Sequence, residues 1–348
     1  MHKVTVVGAL DVTEKATGGQ TVKTRELLCL LEQHIGNKEV KYVDTFGWKK
    51  NPFGLFFRYL WLSSYSKNII MLPAHKGLQV FSRLLYISKK LFGARIYYDV
   101  IGGWLYDKVK DNGGLSHILK KYDGIWVETS SMKLSLEKIG FNNVFVVNNF
   151  KALRPIEIST KISFNFPRKL CTFSRVLKEK GIEDAIDVVT RINKERGTIW
   201  CTLDIYGKVD HGYQDSFDEL RSRFPQYVAY KGVIDADQSV EILKYYYLLL
   251  FPTHYQTEGI PGSIIDAYFA GLPVVSSRWE NFKDVIDEGC TGFGFEMNNN
   301  DDFYHLLGKL LDDSTLIQEC KKKCIEKSKE YTPEYVYSQV IQSGFSQK

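Results

Sequence analysis

Two acidic side chains accompany a loop rich in glycine and proline in the second half of the chain. Residues 251–277 read FPTHYQTEGIPGSIIDAYFAGLPVVSS, which places Glu258 in the loop and Asp266 in a helix predicted to begin near Pro261. Glycine lets the backbone approach a ligand closely, and a helix start offers N–H groups and a positive dipole end that suit a phosphate. Carboxylates beside a phosphate accept hydrogen bonds from the hydroxyl groups of a sugar or ribose. We therefore predict a ligand site formed by Glu258, Gly259, Ile260, Pro261, Gly262, Ser263 and Asp266.

Two basic side chains follow a predicted strand earlier in the same half. Residues 172–181 read TFSRVLKEKG, so Arg175 and Lys180 come soon after the strand predicted at 169–173. Taken alone, this stretch is better explained by two solvated charges at the junction of a loop and a helix. The presence of Glu258 further along the same half favours a role for both cations in one ligand site.

These two segments resemble the donor-binding motifs of family-4 glycosyltransferases. The stretch from Glu258 to Asp266 is similar to the E-x7-E signature, in which the first acid contacts the donor sugar and the second contacts the nucleotide ribose. Aspartate stands here at the second position. The stretch with Arg175 and Lys180 is similar to the family's Arg-x4-Lys-Gly segment, in which both cations hold the donor diphosphate. The resemblance implies catalytic and donor-binding roles for Glu258, Arg175 and Lys180, retention of anomeric configuration, and neither a metal nor another cofactor.

In the first half of the chain the resemblance adds a glycine pair and an aspartate. Residues 17–20 (TGGQ) are similar to the glycine pair at the family's donor–acceptor cleft, which implies donor binding by Gly18 and Gly19. A P-loop is excluded because Lys23-Thr24 lacks the glycine that must come directly before the lysine. Asp99 stands where many relatives carry a histidine, and we predict that it either orients a substrate hydroxyl as a catalytic residue or caps the loop.

Other acidic and histidine side chains show no metal-binding pattern. Asp235-Ala236-Asp237 imitates the DxD motif of GT-A glycosyltransferases, but it lies between a predicted strand and a predicted helix, where acids cap helices. His75, His211, His254 and His305 form no visible ligand cluster. We therefore predict no metal site.

The pattern of elements predicts an α/β protein with two halves. Short β-rich runs alternate with helical patterns, which indicates parallel sheets covered on both faces. The predicted strands are 3–8, 68–72, 94–100, 124–127, 141–148, 169–173, 202–207, 227–232, 247–251 and 273–276. Residues 150–167 carry Pro155 and Pro167 without helical periodicity, so the domain boundary is predicted there.

The resemblance assigns this pattern to the GT-B fold, in which two Rossmann-like, doubly wound domains face each other across a cleft. The expected domains are an acceptor-side domain at 1–155 and a nucleotide-sugar-binding domain at 156–330. Residues 331–348 are expected to form a helix that crosses back to the first domain. In doubly wound domains ligands bind at the carboxyl ends of the strands.

Positive charge is concentrated in the first half of the chain. The net charge is +5 overall, whereas residues 1–155 hold 23 Lys or Arg against 12 Asp or Glu. Between Asp44 and Asp99 there is no acidic residue, and residues 49–98 combine nine Lys or Arg with many aromatic residues. Apolar rings with basic neighbours are typical of an interfacial segment, so we predict docking on an anionic membrane surface. The alternative places the rings in the core and the charges on a solvated face.

The sequence predicts a cytoplasmic protein that is peripheral at the inner face of the membrane. The first residues read as a strand rather than a secretory signal, and no stretch approaches the roughly 18 uninterrupted apolar residues of a membrane span. Six cysteines are scattered without a CxxC pair, which is typical of a reducing compartment.

The family resemblance implies a retaining glycosyltransferase of hexosyltransferase type that uses a nucleotide-sugar donor. The expected acceptor is a saccharide, lipid-linked, in polysaccharide or glycan biosynthesis. The alternative is a nucleotide-sugar-binding protein with little catalysis, because Asp266 replaces glutamate. A nucleotide-dependent oxidoreductase is less well supported than either of these two functions, since no G-x-G-x-x-G follows the first strand of either half. Nucleic acid is not expected as a partner, because the donor motifs indicate sugar chemistry.

Overall fold

The chain folds into two compact units. The computed structural model describes residues 2–11, 18–73, 75–157 and 165–345, and the backbone alone of Lys49, His75 and Lys76. The first unit comprises Met1–Ala152 together with Tyr331–Lys348, and the second comprises Leu153–Glu330. Residue 17 of the glycine-pair motif and residues 158–164 of the expected linker lie outside the described residues.

A six-stranded parallel sheet forms the centre of the first unit. Its strands are β1 (His2–Gly8), β2 (Val40–Asp44), β3 (Ser66–Leu72), β4 (Arg95–Asp99), β5 (Gly124–Val127) and β6 (Val144–Val146). The helices between them are α1 (Gly19–Ile35), α2 (Pro52–Ser64), α3 (His75–Phe92), α4 (Leu105–Lys110), α5 (Gly113–Leu119) and α6 (Ser130–Lys138). The strand order β2-β1-β3-β4-β5-β6 reverses its direction between β1 and β3.

Apolar side chains cover both faces of this sheet. Successive residues of a strand point to opposite faces, and Ile69 and Ile70 of β3, both 0% exposed, accordingly belong to separate core clusters. The cluster with Ile69 includes residues of α2 and α3, such as Tyr59 and Leu78. The other cluster includes Leu27 of α1. A parallel sheet buried on both faces explains why its strands read as nearly continuous apolar runs.

The second unit contains another six-stranded parallel sheet. Its strands are β7 (Arg168–Phe173), β8 (Cys201–Tyr206), β9 (Val228–Gly232), β10 (Leu248–Phe251), β11 (Val274–Ser277) and β12 (Gly292–Phe295). Its helices are α7 (Ile182–Glu195), α8 (Gln214–Ser222), α9 (Ser239–Leu243), α10 (Gly262–Phe269), α11 (Phe282–Val285), α12 (Asn300–Asp312) and α13 (Ser314–Ser328). The strand order is β12-β11-β10-β7-β8-β9.

The last helix, α14 (Pro333–Gln342), returns to the first unit. Its Val336 and Val340 are fully buried in the same cluster as Val4 and Leu27. Thr332 begins the helix by accepting a hydrogen bond from the Tyr335 N–H. In the part of the chain that the structure describes, no helix is both long enough and apolar enough to cross a membrane.

Every predicted strand is present, and the described residues form two further strands that were not predicted. β2 (VKYVD) and β12 (GFGF) each lie at one edge of a sheet. Charged residues interrupt β2, and the glycines of β12 resemble a turn. Gly292 is nevertheless required in the strand, because a Cβ there would overlap the carbonyl oxygen of Val274 on β11.

Candidate active site

The strand connections of the second unit reverse direction between β7 and β10. The chain passes from β7 through β8 to β9 on one side, and then returns to place β10 on the other side of β7. In open α/β sheets ligands bind at such a reversal, beyond the carboxyl ends of the strands. Arg175 and Lys180 follow the end of β7, and Glu258 follows the end of β10. The structure therefore brings the predicted cations and the first predicted acid to one edge of one sheet.

Lys180 and Glu258 form an ion pair at this edge. Lys180 Nζ donates a hydrogen bond to Glu258 Oε1, and the two side chains are only 12% and 16% exposed. The ammonium also lies 5.0 Å from the centre of the Phe251 ring and 5.2 Å from that of Tyr255. These rings limit the access of water, and electrostatic interactions gain strength when water is excluded. The pair therefore holds one cation and one anion side by side with little screening.

Hydrogen bonds hold the loop that carries Glu258. Thr253 Oγ1 donates to Glu258 Oε1 at 3.1 Å, and Asn281 Nδ2 donates to the Glu258 carbonyl at 2.6 Å. The His254 N–H donates to the Glu179 carbonyl at 2.8 Å, which ties the loop to the segment that carries Lys180. Glu258 is thus fixed through its carboxylate, through its own carbonyl and through the preceding backbone at His254.

Gly181 allows the segment with Lys180 to approach the end of β10. Its φ of +65° lies in the left-handed region, and a Cβ at this position would overlap the carbonyl oxygen of Pro252. Any other L residue would therefore meet both a strained backbone and a collision with main-chain atoms. This explains why glycine follows Lys180.

Helix α10 begins close to Glu258 in sequence, at Gly262. Pro261 occupies the N-cap position without a side-chain cap, and the N–H groups of Gly262 and Ser263 have no acceptor among the described residues. Such N–H groups at the positive end of a helix attract an anion. Gly259, Ile260 and Pro261 are buried, whereas Gly262 and Ser263, like Glu258, are partly exposed to solvent.

Asp266 lies in the interior of the second unit. It is 1% exposed, and its Oδ1 accepts a hydrogen bond from Ser239 Oγ at 2.8 Å. This contact joins α10 to the start of α9. The structure does not bring Asp266 into the Lys180–Glu258 pair, and its contact with a ribose stays a prediction.

Arg175 also lies outside the pair. Its guanidinium is 53% exposed, with Nη1 3.6 Å from Asp210 Oδ2. An exposed pair at this distance contributes little to stability. The Arg175 side chain is therefore held only loosely and is open to a ligand in solution.

A model of a known protein family matches this part of the chain. Residues 167–313 fit the family model described as glycosyl transferases group 1, and this range includes Arg175, Lys180, Glu258 and Asp266. An uncharacterised glycosyltransferase of Methanocaldococcus jannaschii is 22% identical over 160 residues, which are 45% of this chain and 39% of that protein. The chain therefore spans less than half the length of this relative. Both matches support a glycosyltransferase, and the family model places its domain in the second unit.

Solved structures resemble the whole chain. The HepE protein of Anabaena, in complex with UDP and glucose, is 13% identical, with a TM-score of 0.75 and coverage of 99% of both chains. The lipopolysaccharide outer core galactosyltransferase WaaB in its apo form is 17% identical, with a TM-score of 0.68 and coverage of 100% of both chains. The fold class is GT-B. This confirms the predicted fold class of two doubly wound domains.

Asp99, in the first unit of this GT-B protein, is buried in an ionic cluster. It is 2% exposed, and Lys23 Nζ lies 2.8 Å from its Oδ1 and 2.9 Å from Glu128 Oε1. Burial raises the pKa of Asp99 to about 6, because desolvation outweighs the opposing effect of Lys23 and Glu128 adds to the increase. For Lys23, burial lowers the pKa, but the two carboxylates outweigh this and hold the pKa above its ordinary value.

This cluster connects three elements of the first unit. Lys23 belongs to α1, Asp99 ends β4, and Glu128 directly follows β5. Lys23 Nζ also donates to the Val100 carbonyl at 3.1 Å. Asp99 is therefore paired with Lys23 in this structure. The catalytic role of Asp99 toward a substrate hydroxyl stays a prediction.

The predicted glycine pair stands at the start of α1. Gly18 is the N-cap residue and Gly19 the first helical residue, and a Cβ at either would meet no described atom within 4 Å. The described packing of the first unit does not require glycine at these two positions. Their donor-binding role stays a prediction.

Several residues of these clusters were not identified from the sequence. Lys23 had a detectable signal, because it lies four residues before Leu27 on the buried face of α1. Glu128 follows the apolar run of β5, which is a weaker signal. Thr253 and Asn281 have none, since their side chains reach Glu258 only because the fold brings the three residues together.

In the DxD-like segment, the side chain of the first acid, Asp235, does not cap a helix. Asp235 is the N-cap residue of a short 3-10 turn, Ala236–Gln238, but its side chain makes no capping hydrogen bond, so that detail of the prediction was wrong. Asp235 and Asp237 are both exposed. Within the described ranges no three or more His, Cys, Asp or Glu side chains are grouped as metal ligands would be.

Proposed function

We propose that this protein is a retaining family-4 glycosyltransferase of hexosyltransferase type that works without a metal ion. The observation that supports this best is the Lys180–Glu258 pair at the strand reversal of the second unit, with the start of α10 following in the same loop. A nucleotide sugar carries both groups that such a pair can bind, an anionic diphosphate and a neighbouring ring of hydroxyl groups. Donor binding would replace the ion pair. The diphosphate would take the ammonium of Lys180, and a sugar hydroxyl would donate to Glu258.

The proposed reaction keeps the anomeric configuration because bond breaking and bond formation occur on one face of the sugar. The bond between the anomeric carbon and the diphosphate oxygen breaks, and the acceptor oxygen bonds to that carbon. The leaving diphosphate oxygen takes the proton of the acceptor hydroxyl. Lys180, Arg175 and the N–H groups at the start of α10 would stabilise the negative charge that develops on the diphosphate.

The remaining parts of the donor site are proposed from the motifs. Asp266 would contact the ribose, which requires its carboxylate to share or leave the hydrogen bond with Ser239. Gly18 and Gly19 would lie against the donor. UDP-sugars are the first donors to test, because the HepE structure of similar fold holds UDP and glucose.

We further propose that the enzyme acts in the cytoplasm, in polysaccharide or glycan biosynthesis, on a saccharide acceptor that is lipid-linked. All six cysteines are free thiols, as in a reducing compartment. WaaB, whose fold is similar, is a galactosyltransferase of the lipopolysaccharide outer core.

Donor binding and product stereochemistry test the proposal. A panel of nucleotide sugars is screened for thermal stabilisation, and transfer from the stabilising donor is followed by NMR with excess chelator present. We expect a retained anomeric centre and a rate that the chelator leaves unchanged. Lys180→Ala should abolish both donor stabilisation and transfer, whereas Lys178→Ala, which removes an exposed cation of the same segment, should not.

Three results would contradict parts of this proposal. An inverted anomeric centre would reject the retaining mechanism. A strict requirement for manganese or magnesium would reject the metal-free reaction and direct attention to Asp235 and Asp237. Donor binding without turnover on any acceptor or water would identify a nucleotide-sugar-binding protein instead.

A further inference from the structure

Helix α2 of the first unit exposes a row of aromatic rings. Phe53, Phe57 and Trp61 follow one another at intervals of four residues and are 77%, 66% and 64% exposed. Residues at this spacing lie on one face of a helix. Tyr59 lies on the other side of α2, where it is buried and its hydroxyl is 2.6 Å from Ser88 Oγ of α3. For these three rings, the alternative of a position in the core is wrong.

Helix α3 packs against α2 and exposes aliphatic side chains. Val80, Ile87 and Leu91 are 44%, 49% and 67% exposed, and their spacing places them along one stripe of the helix. We call the exposed faces of α2 and α3 the α2–α3 surface. It combines exposed aromatic and exposed aliphatic side chains on two adjacent helices.

Basic side chains accompany the α2–α3 surface. No acidic residue occurs between Thr45 and Tyr98. Lys89 is already paired with Asp123 at 2.5 Å, so we do not count it. Among the side chains that the structure describes, the exposed cations of this stretch are Lys50, Arg58, Lys67, Arg83, Lys90 and Arg95.

We infer that the α2–α3 surface docks on an anionic lipid bilayer. A bilayer receives aromatic and aliphatic side chains at the boundary of headgroups and acyl chains, while Lys and Arg attract the anionic headgroups. A second copy of the chain would present the same positive charge and would be repelled. A nucleic acid would match the charge and stack on the rings, but it would leave Val80, Ile87 and Leu91 without apolar partners.

The topology of the first unit relates this surface to a substrate-binding edge. Helices α2 and α3 follow β2 and β3, so both begin at the edge where the parallel strands end, as α1 does with its glycine pair. Ligands of doubly wound domains bind along that edge. Docking would therefore bring the edge close to an acceptor attached to lipid. Only this consequence rests on the proposed function, whereas lipid binding itself does not.

Sedimentation with vesicles tests the inference on the full-length protein. Vesicles of phosphatidylglycerol mixed with phosphatidylcholine should bind the protein, and vesicles of pure phosphatidylcholine should bind it far less. Binding should weaken as salt is added, because salt screens surface charges. Each basic residue near an anionic leaflet contributes about 1 kcal/mol, or about a 5-fold change in partitioning.

Two variants separate the roles of charge and apolar surface. Arg83→Glu combined with Lys90→Glu should lower partitioning by about 30-fold or more, since two attractive charges become repulsive. Phe57→Ser combined with Trp61→Ser should lower binding even where salt has removed the electrostatic part. Both variants change exposed side chains, so their melting temperatures should equal that of the wild type, which is measured alongside.

Matched controls lie on the second unit. Lys169→Glu combined with Lys194→Glu makes the same change of net charge at exposed positions, and Tyr245→Ser removes a ring that is 69% exposed. Neither control should reduce binding. Equal binding to neutral and anionic vesicles, no binding to either, an equal loss in the controls, or capture of single-stranded oligonucleotides in place of vesicles would each overturn the inference. Transfer to a water-soluble acceptor, measured separately, would show whether the glycosyltransferase proposal survives such a result.

Discussion

The ammonium of Lys180 and the carboxylate of Glu258 form one ion pair although 78 residues separate them along the chain. Strands β7 and β10 are direct neighbours, with Leu170 beside Leu248. Because the two strands are parallel, the segments that follow them leave the sheet at the same edge. The sheet order therefore decides which charged residues meet.

Replacing Glu258 by glutamine should remove transfer and keep the fold. Glutamine has nearly the same shape and retains an acceptor for Thr253, but it loses the negative charge that faces Lys180 and a sugar hydroxyl. We expect turnover to fall by about 10²- to 10³-fold, which is the usual effect of losing one strong hydrogen bond to the reacting group. Glu179→Gln makes the same charge change at an exposed neighbour and should leave turnover unchanged. A Glu258→Gln protein with a normal melting temperature and normal turnover would refute the assignment.

Gly181→Ala should destabilise the protein through a collision as well as through backbone strain. Its φ of +65° costs a β-carbon about 1 kcal/mol, and overlap with the Pro252 carbonyl adds about 1–3 kcal/mol more. Gly197 provides the matched control, because its φ is +67° and a Cβ there meets nothing within 4 Å. Urea unfolding of both alanine variants should show the larger loss at position 181. Equal losses would mean that backbone conformation alone explains glycine at this site.

Asp99→Asn should flatten the dependence of stability on pH between about 4 and 6. The pKa of Asp99 in the folded protein is raised from 3.8 to about 6, so in this range the folded state binds a proton that the unfolded state has lost. The free energy of unfolding of the wild type should therefore fall as pH rises, by up to about 3 kcal/mol from this residue.

The measurement is the difference in unfolding free energy between wild type and Asp99→Asn from acid to neutral pH. Asp107→Asn, at an exposed position of α4, serves as the control for the same substitution outside the buried cluster. A difference that does not change with pH would show that Lys23 keeps Asp99 ionised throughout.

Lys321 should make stability depend on pH in the alkaline range. It is 4% exposed, and its Nζ donates to the carbonyl oxygens of Tyr246 at 3.0 Å and Gly271 at 3.1 Å. Burial lowers its pKa from 10.5 to about 8, so between these values the unfolded state binds the extra proton. Wild-type stability should then rise with pH relative to Lys321→Met, by about 3 kcal/mol in all.

Comparing the wild type with methionine variants separates the contribution of Lys321 to the pH dependence of stability from the contributions of the cysteines and tyrosines. Lys322→Met, at the exposed neighbouring position, should follow the wild type at every pH. If the difference between wild type and Lys321→Met stays constant from neutral to alkaline pH, the ammonium of Lys321 is not lost in the folded protein.

Local patterns in the sequence determined the elements and the candidate donor motifs. Strands such as β3 and β10 are apolar runs of the right length, and the glycines and prolines around Glu258 mark a loop followed by a helix. These features depend on residues close together in the chain, so spacing and residue type are enough to predict them. The edge strands β2 and β12 escaped this reasoning because charged residues interrupt β2 and the glycines of β12 are typical of a turn.

The tertiary structure alone decided which of these side chains meet and which remain in water. Lys23 reaches Glu128 across 105 residues, and the burial of Asp99 beside them raises the pKa of a carboxyl group that the sequence shows only near the end of a predicted strand. Conversely, Trp61 is as apolar as any core residue but lies on the solvent side of α2. Burial and pairing arise where distant segments pack against each other. A local sequence pattern does not show which distant segment will pack against a given residue.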